Sequence, residues 1–270
     1  VHKDIMQTKQ ELERIESGAA GRYDAFLREV ESIYKSLEPL LYRCFGVRDI
    51  FDPRMWGLVK KISAFSTYWK IARTYFKTQE LCFAMTFEAM FIGVSPYQAP
   101  GFYSIISYTD HCQKIRHPMG GMYRIPQALE KLGKKFGVTY HYDAEVTEIS
   151  GNGSIRLKTK QGEHQAQSVV INADYAYAQK ELLGRTLPKY AYSCSVLLFY
   201  LGLKSKISGL EHHNLFFSGD LEKNLRQIFT DKTTPDDPSF YIHVPTVTDP
   251  SLAPPGKDGS VTVRSEDHTS

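Results

Sequence analysis

The chain has 270 residues, 42% of them hydrophobic and 23% charged, with 33 basic against 30 acidic side chains and a formal net charge of +3. The apolar content excludes a disordered chain, and so small a charge over this length excludes a polycationic nucleic-acid binder. The length suffices for one large domain or two interleaved ones, and no apolar run approaches the ~20 residues that span a bilayer.

Aromatic residues make up 13% of the chain, which suits either a large apolar cavity or an aromatic-rich core. Cys44, Cys82, Cys112 and Cys194 are widely spaced, with no C-x-x-C pair, so a disulfide framework or a zinc site is not expected and four free thiols are.

The first hundred residues read as helices. Tyr23, Phe26, Leu27, Val30, Ile33, Tyr34 and Leu37 recur at intervals of three and four, one apolar stripe that Pro39 closes. Residues 54–77 form a second helical region in which Trp56, Phe65, Tyr68 and Trp69 alternate with Lys60, Lys61, Lys70 and Arg73. That basic, aromatic-rich pattern fits an anionic membrane surface, though a core-facing helix with solvated lysines is the favoured reading of the pattern alone. Residues 80–93 make a third, nearly all-apolar helix.

From Pro96 to Gly121 the prolines and glycines predict turns and short elements. Residues 124–136 read as a helix with Ile125, Leu129, Leu132 and Phe136 on one side and Gly137 as its cap. Pro126 lies in its first turns, where proline is tolerated.

Strands follow. Residues 139–142 are short and β-rich, and residues 144–150 and 154–160 flank Gly151-Asn152-Gly153, a hairpin signal. Residues 165–171 end in the run SVVI, the mark of a strand buried on both faces, and stop at Asn172-Ala173-Asp174 before a helix through Leu183. Residues 191–203 form another buried strand, and residues 213–218 and 239–245 further strands around a helix at 221–229. Residues 259–270 turn polar and carry no core pattern.

Motifs for chemistry are few. There is no G-x-x-x-x-G-K-[ST] loop and no G-x-S-x-G elbow. His212-His213 lacks a ligand pattern around it and reads as a surface turn, so no metal site is assigned; the carboxylates Asp231, Asp236 and Asp237 read as a solvated loop. Asn172-Ala173-Asp174 follows a predicted strand, where ligands gather in α/β proteins, although a plain helix cap is an equal reading.

Several strings carry a resemblance. SPYQAPGFYSIISYTD at 95–110, HPMGGMYRIPQALEKLGKKFGV at 117–138, SVVINADYAY at 168–177, SCSVLLFYLGL at 193–203, HHNLFF at 212–217 and DDPSFYIHVPTVTDPSLAPPGKD at 236–258 occur in family order. Over about residues 5–258 the chain resembles the bacterial and fungal-type phytoene desaturases, carotenoid desaturases within the FAD-dependent amine-oxidase-like flavoproteins. The resemblance implies a mixed α/β, two-domain flavoprotein fold. Its parts would be a helical substrate- or membrane-facing region at 1–116, a partial FAD-binding domain at 117–187, a substrate-domain sheet at 188–258 and a divergent tail at 259–270.

It also implies an oxidoreductase that removes hydrogen from an acyclic carotenoid with FAD as acceptor, since no side chain can accept a hydride. Such a hydrocarbon gains about 0.8 kcal/mol per methylene kept from water. Transfer from bilayer to protein is nearly neutral by comparison, so a peripheral enzyme on the cytoplasmic side of a membrane is expected. Residues 54–93 are the candidate contact surface, and charge reversal at Lys60, Lys61 and Lys70 is expected to weaken liposome binding.

Carried over from the resemblance, Val146 in AEVTEI contacts the adenine end of FAD through its backbone, and Asn172, Ala173 and Asp174 pass close to the cofactor. Gly120 and Gly121 serve a tight turn. Arg48, Asp49, Asp52 and Arg54 align with gaps and read as surface ion pairs, so no catalytic acid or base is assigned. The family's glycine-rich G-x-G-x-x-G turn and closing glycine-rich segment are missing from this sequence. The chain is therefore expected to be an internal fragment, from a partial or mispredicted gene, with very low affinity for FAD by itself. Alternatives are a carotenoid isomerase, an oxygenase or a retinol-saturase-type flavoprotein, and a non-catalytic carotenoid- or lipid-binding remnant.

Overall fold

The computed structural model describes residues 4–44, 46, 51, 56–59, 62–63, 65–151, 153–190, 192, 194–258 and 261–267. The fold mixes helices with antiparallel sheet and divides into two units, Val1–Gly121 with Ser193–Ser270, and Met122–Tyr192.

In the larger unit, α1 (Ile5–Ile15) is capped by Asp4, whose carboxylate accepts the Met6 N–H at 2.9 Å. Helix α2 (Ala19–Leu37) buries Tyr23, Phe26, Leu27, Val30 and Ile33, the stripe that the three-and-four spacing predicts. It passes into a 3-10 turn at Glu38–Leu40, because Pro39 cannot donate the next helical hydrogen bond.

Helix α3 (Tyr68–Tyr75) starts where the Thr67 hydroxyl accepts the Lys70 N–H at 3.3 Å; it buries Tyr68, Ile71 and Ala72 and exposes Lys70 and Arg73. It is much shorter than the predicted 54–77 region, part of which, including Lys60 and Lys61, lies outside the described residues. Helix α4 (Gln79–Ala84) begins the expected 80–93 helix, but the run breaks at Met85-Thr86. There the Thr86 hydroxyl donates to the Cys82 carbonyl at 2.9 Å, and Phe87–Ile92 continues as a tighter 3-10 helix.

These elements share one core. The Phe26 ring meets Tyr75 and Phe76 edge-on, with centroids 5.8 and 5.6 Å away. Glu16 staples α1 to the start of α4: its carboxylate pairs with Arg22 and accepts the N–H groups of Lys77 and Thr78 at 2.9 and 2.8 Å.

The same unit carries a four-stranded antiparallel sheet of β4 (Ser195–Leu201), β5 (His213–Phe216), β6 (Phe240–His243) and β7 (Val261–Asp267), in the order β4-β7-β6-β5. Two expectations are corrected here. The strand predicted as buried at 191–203 forms over 195–201, but side chains on both of its faces are exposed, Tyr200 by 73%, because no described element covers either face there. The polar string 259–270, read as a tail without core pattern, contributes β7 between β4 and β6. Its Val-Thr-Val start favours a pleated strand, and neighbours on both edges supply the ladder.

The smaller unit holds α5 (Arg124–Lys135), ended by Gly137 at φ +82°, and a three-stranded antiparallel meander of β1 (Val146–Ser150), β2 (Ile155–Thr159) and β3 (Gly162–Ala166). Gly151 and Gly153 adopt φ of +109° and +108° in the predicted hairpin turn, a region open chiefly to glycine. Residues 139–142 form no strand. The strand expected at 165–171 ends at Ala166, and Val170 stands 95% exposed. An apolar run becomes a buried strand only when other strands satisfy its backbone groups, and no described strand pairs with residues 167–173. The apolar stripe of α5 is exposed likewise, Phe136 by 78%.

Candidate functional site

Within the smaller unit, β1 packs against the turn Ala178–Leu182 that follows the Asn172-Ala173-Asp174 segment. Val146 opens β1, half-buried, at an irregularity in register between Val146 and Glu148, opposite Thr159. Asn172 and Ala173 are exposed, and the Asp174 carboxylate accepts the Tyr177 N–H at 2.9 Å, capping the helical turn Tyr175–Tyr177. Asp174 is a helix cap, and the backbone before it belongs to neither ladder nor helix.

The larger unit carries a small, open apolar cleft of about 30 Å³, lined by Met90, Phe91, Leu215, Phe216, Ile228 and Phe240. Its polar lining residues Asn224 and Ser239 satisfy each other: the Ser239 hydroxyl donates to Asn224 Oδ1 at 3.0 Å, and Asn224 Nδ2 donates to the Asp237 carbonyl at 2.9 Å. A groove whose polar groups are already engaged presents hydrocarbon to an occupant. Phe83 and Phe217, edge to face at 4.5 Å, lie beside it.

Deeper in the same unit lies a polar network that the sequence reading did not find. Glu88 is 3% exposed and accepts from the Tyr68 hydroxyl at 3.4 Å; Tyr68 is also paired with Ser107, whose hydroxyl donates to the Met85 carbonyl at 2.9 Å. Glu88 Oε1 stands 4.0 Å from His111 Nε2, and His111 Nδ1 shares a hydrogen bond with the Tyr23 hydroxyl at 2.7 Å. Burial, reinforced by the neighbouring Asp110 carboxyl, pushes the Glu88 carboxyl up to about 8, and burial pushes His111 down to about 4. Both are neutral near pH 7. His111 lies in a π-helical turn, Thr109–Gln113. No sequence motif announces the network, since its members come from α2, α3, the 3-10 helix and residues 105–113.

Asp249, 2% exposed, organises the turn before the smaller unit. Its carboxylate accepts the Gly120 N–H and, at 3.1 Å, the Ser251 N–H, with His117 Nε2 at 3.8 Å. Gly120 and Gly121 hold φ of +86° and +89°, the tight turn expected of them. Arg48, Asp49, Asp52 and Arg54 lie outside the described residues.

Residues 18–243 match the model of the flavin-containing amine oxidoreductases, and the chain belongs to that family. A flavin is the cofactor this family implies. Within it, the chain is 38% identical over 260 residues to a zeta-carotene-forming phytoene desaturase of Myxococcus xanthus, covering 92% of this chain and 50% of that protein. It is 34% identical to a phytoene desaturase of Neurospora crassa, over 96% of this chain and 47% of the relative. It is 31% identical to a 4,4'-diapophytoene desaturase (4,4'-diapolycopene-forming) of a Methylomonas species, over 95% and 53%. The chain thus spans about half the length of the curated relatives it matches.

Proposed function

We propose that this chain is part of an FAD-dependent desaturase acting on phytoene or a related acyclic carotenoid. The observation that carries the proposal is the similarity, over 92–96% of this chain, to relatives named phytoene desaturases; the small apolar cleft with its hydrogen-bonded polar lining is compatible with it. A polyene has no polar handle, so only shape and dryness can select and orient it, and Phe216, Phe240 and Met90 would form part of that apolar wall. FAD, when bound, supplies the hydride acceptor that the side chains cannot. Val146, through its backbone, and the Asn172-Ala173-Asp174 segment would hold it, with Asp174 keeping that segment in place by capping the next turn.

The substrate's insolubility also argues for a peripheral position on the cytoplasmic face of a membrane. Among the described residues, no helix is long and apolar enough to cross one. The contact surface is narrower than residues 54–93, because Leu81, Cys82, Phe83, Met85 and Ala89 are buried in the core. Exposed Trp56 and Phe65 with Lys70 and Arg73 remain as its apolar and cationic parts.

The test places this chain in the corresponding half of a full-length phytoene desaturase and expresses the chimera in a phytoene-accumulating host. Coloured, more conjugated product is expected, and a Phe216→Asp chimera should give less of it. Unchanged phytoene from a folded, flavin-loaded chimera overturns the proposal; phytoene altered only in double-bond geometry would make the protein an isomerase.

A further inference from the structure

We propose that His212, His213 and His243 form a binding site for a divalent transition-metal ion at the β5 edge of the four-stranded sheet. His212 and His213 are sequence neighbours, and the β5–β6 register sets His243 directly opposite His213. One ligand nitrogen from each of the three lies within 4.8 Å of the others. His212 Nε2 and His243 Nε2 stand 2.8 Å apart.

The surroundings of the rings favour a metal over a plain histidine patch. The ring nitrogen that faces away is already engaged on two of the three: His212 Nδ1 with the Thr248 hydroxyl at 2.5 Å and His213 Nδ1 with the Tyr241 hydroxyl at 2.6 Å. An oxygen on Nδ1 fixes the orientation of each ring and leaves Nε2 available to ligate, the arrangement that supports a metal-ligating imidazole.

Without an ion, the His212 and His243 nitrogens can share one proton across their 2.8 Å contact. With metal–nitrogen bonds of about 2.0–2.1 Å and tetrahedral angles, two ligating nitrogens sit about 3.3 Å apart, so binding needs an opening of roughly half an ångström. The site is half-exposed at a sheet edge, where strand ends give that much readily. An all-imidazole trio suits Zn²⁺, Cu²⁺ or Ni²⁺ and leaves a coordination position open to solvent or a further ligand. His117, whose ring lies 5.1 Å from that of His212, turns its Nε2 toward Asp249 instead and is not a ligand.

The test titrates the chain with Zn²⁺ by calorimetry and records the visible spectrum with Co²⁺ in its place. One equivalent of Zn²⁺ is expected to bind, with affinity falling at least tenfold in His212→Ala and in His243→Gln and unchanged in His117→Ala. Co²⁺ should give intense visible bands of a low-coordinate nitrogen site, a readout on the unaltered chain that needs no variant to fold. No saturable Zn²⁺ binding, undiminished binding in His212→Ala and His243→Gln combined, or a Co²⁺ spectrum no different from the aquo ion would overturn the proposal.

Discussion

The buried Glu88–His111 pair makes a stability prediction whose sign is worked from its two opposed shifts. In the unfolded chain a glutamate loses its proton near its ordinary value of 4.5, whereas burial and the neighbouring Asp110 hold the folded Glu88 carboxyl at about 8. Between these values the folded state binds the extra proton, so stability falls as pH rises, by about 1.4 kcal/mol per pH unit. His111 acts the other way. Its ordinary value is 6.5 and burial holds it at about 4, so between those limits the unfolded state binds the extra proton and stability rises with pH. From pH 4.5 to 6.5 the two slopes cancel; from 6.5 to 8 only Glu88 acts and the chain should lose about 2 kcal/mol. Glu88→Gln keeps an acceptor for Tyr68 and abolishes the falling limb. The difference in unfolding free energy, wild type minus E88Q, should decline steadily from about pH 4.5 to about pH 8. Urea denaturation at about pH 5, 6.5 and 8 measures it. Parallel pH profiles for the two proteins would refute both the burial argument and the neutral state of Glu88.

Glu16 gives the opposite pH signature. Burial opposes its ionisation, but the Thr78 and Lys77 N–H groups and Arg22 prevail and hold its carboxyl below the ordinary range. Its contribution is present above about pH 4.5 and lost as pH falls through the depressed folded value, so Glu16→Gln should flatten the acid limb of a thermal-melt profile. Phe26→Ala, at a fully buried ring held between Tyr75 and Phe76, should cost ~3–5 kcal/mol in chemical denaturation. Gly121→Ala places a Cβ 3.0 Å from Leu252 Cδ2 at φ +89° and should cost on the order of 1–2 kcal/mol in the same assay. Reversing Lys70 and Arg73 to Glu should weaken sedimentation with anionic liposomes and leave melting unchanged; equal sedimentation would remove the membrane contact from α3. In the chimera, Val146→Ile should retain flavin, since a backbone contact tolerates the larger side chain.

Local pattern determined those parts of the fold that depend on neighbours in sequence. The stripe from Tyr23 to Ile33 specifies α2, Pro39 ends it, and the glycines of Gly151-Asn152-Gly153 specify the β1–β2 turn; each follows from helical periodicity or permitted backbone angles within a few residues. Tertiary structure decided what depends on a partner. The SVVI run has strand composition without a pairing strand among the described residues, so Val170 is exposed, whereas the polar Val261–Asp267 becomes a strand because β4 and β6 flank it. The same holds for the sites. Val146 and Asp174 are proposed from their strings alone, whereas the opposition of His243 to His213 arises only in the β5–β6 register, and Glu88 meets His111 only when separate helices pack. Hydropathy reports a residue's own preference for water; which charges and imidazoles share a space is fixed by chain closure over long separations, and no local period encodes it.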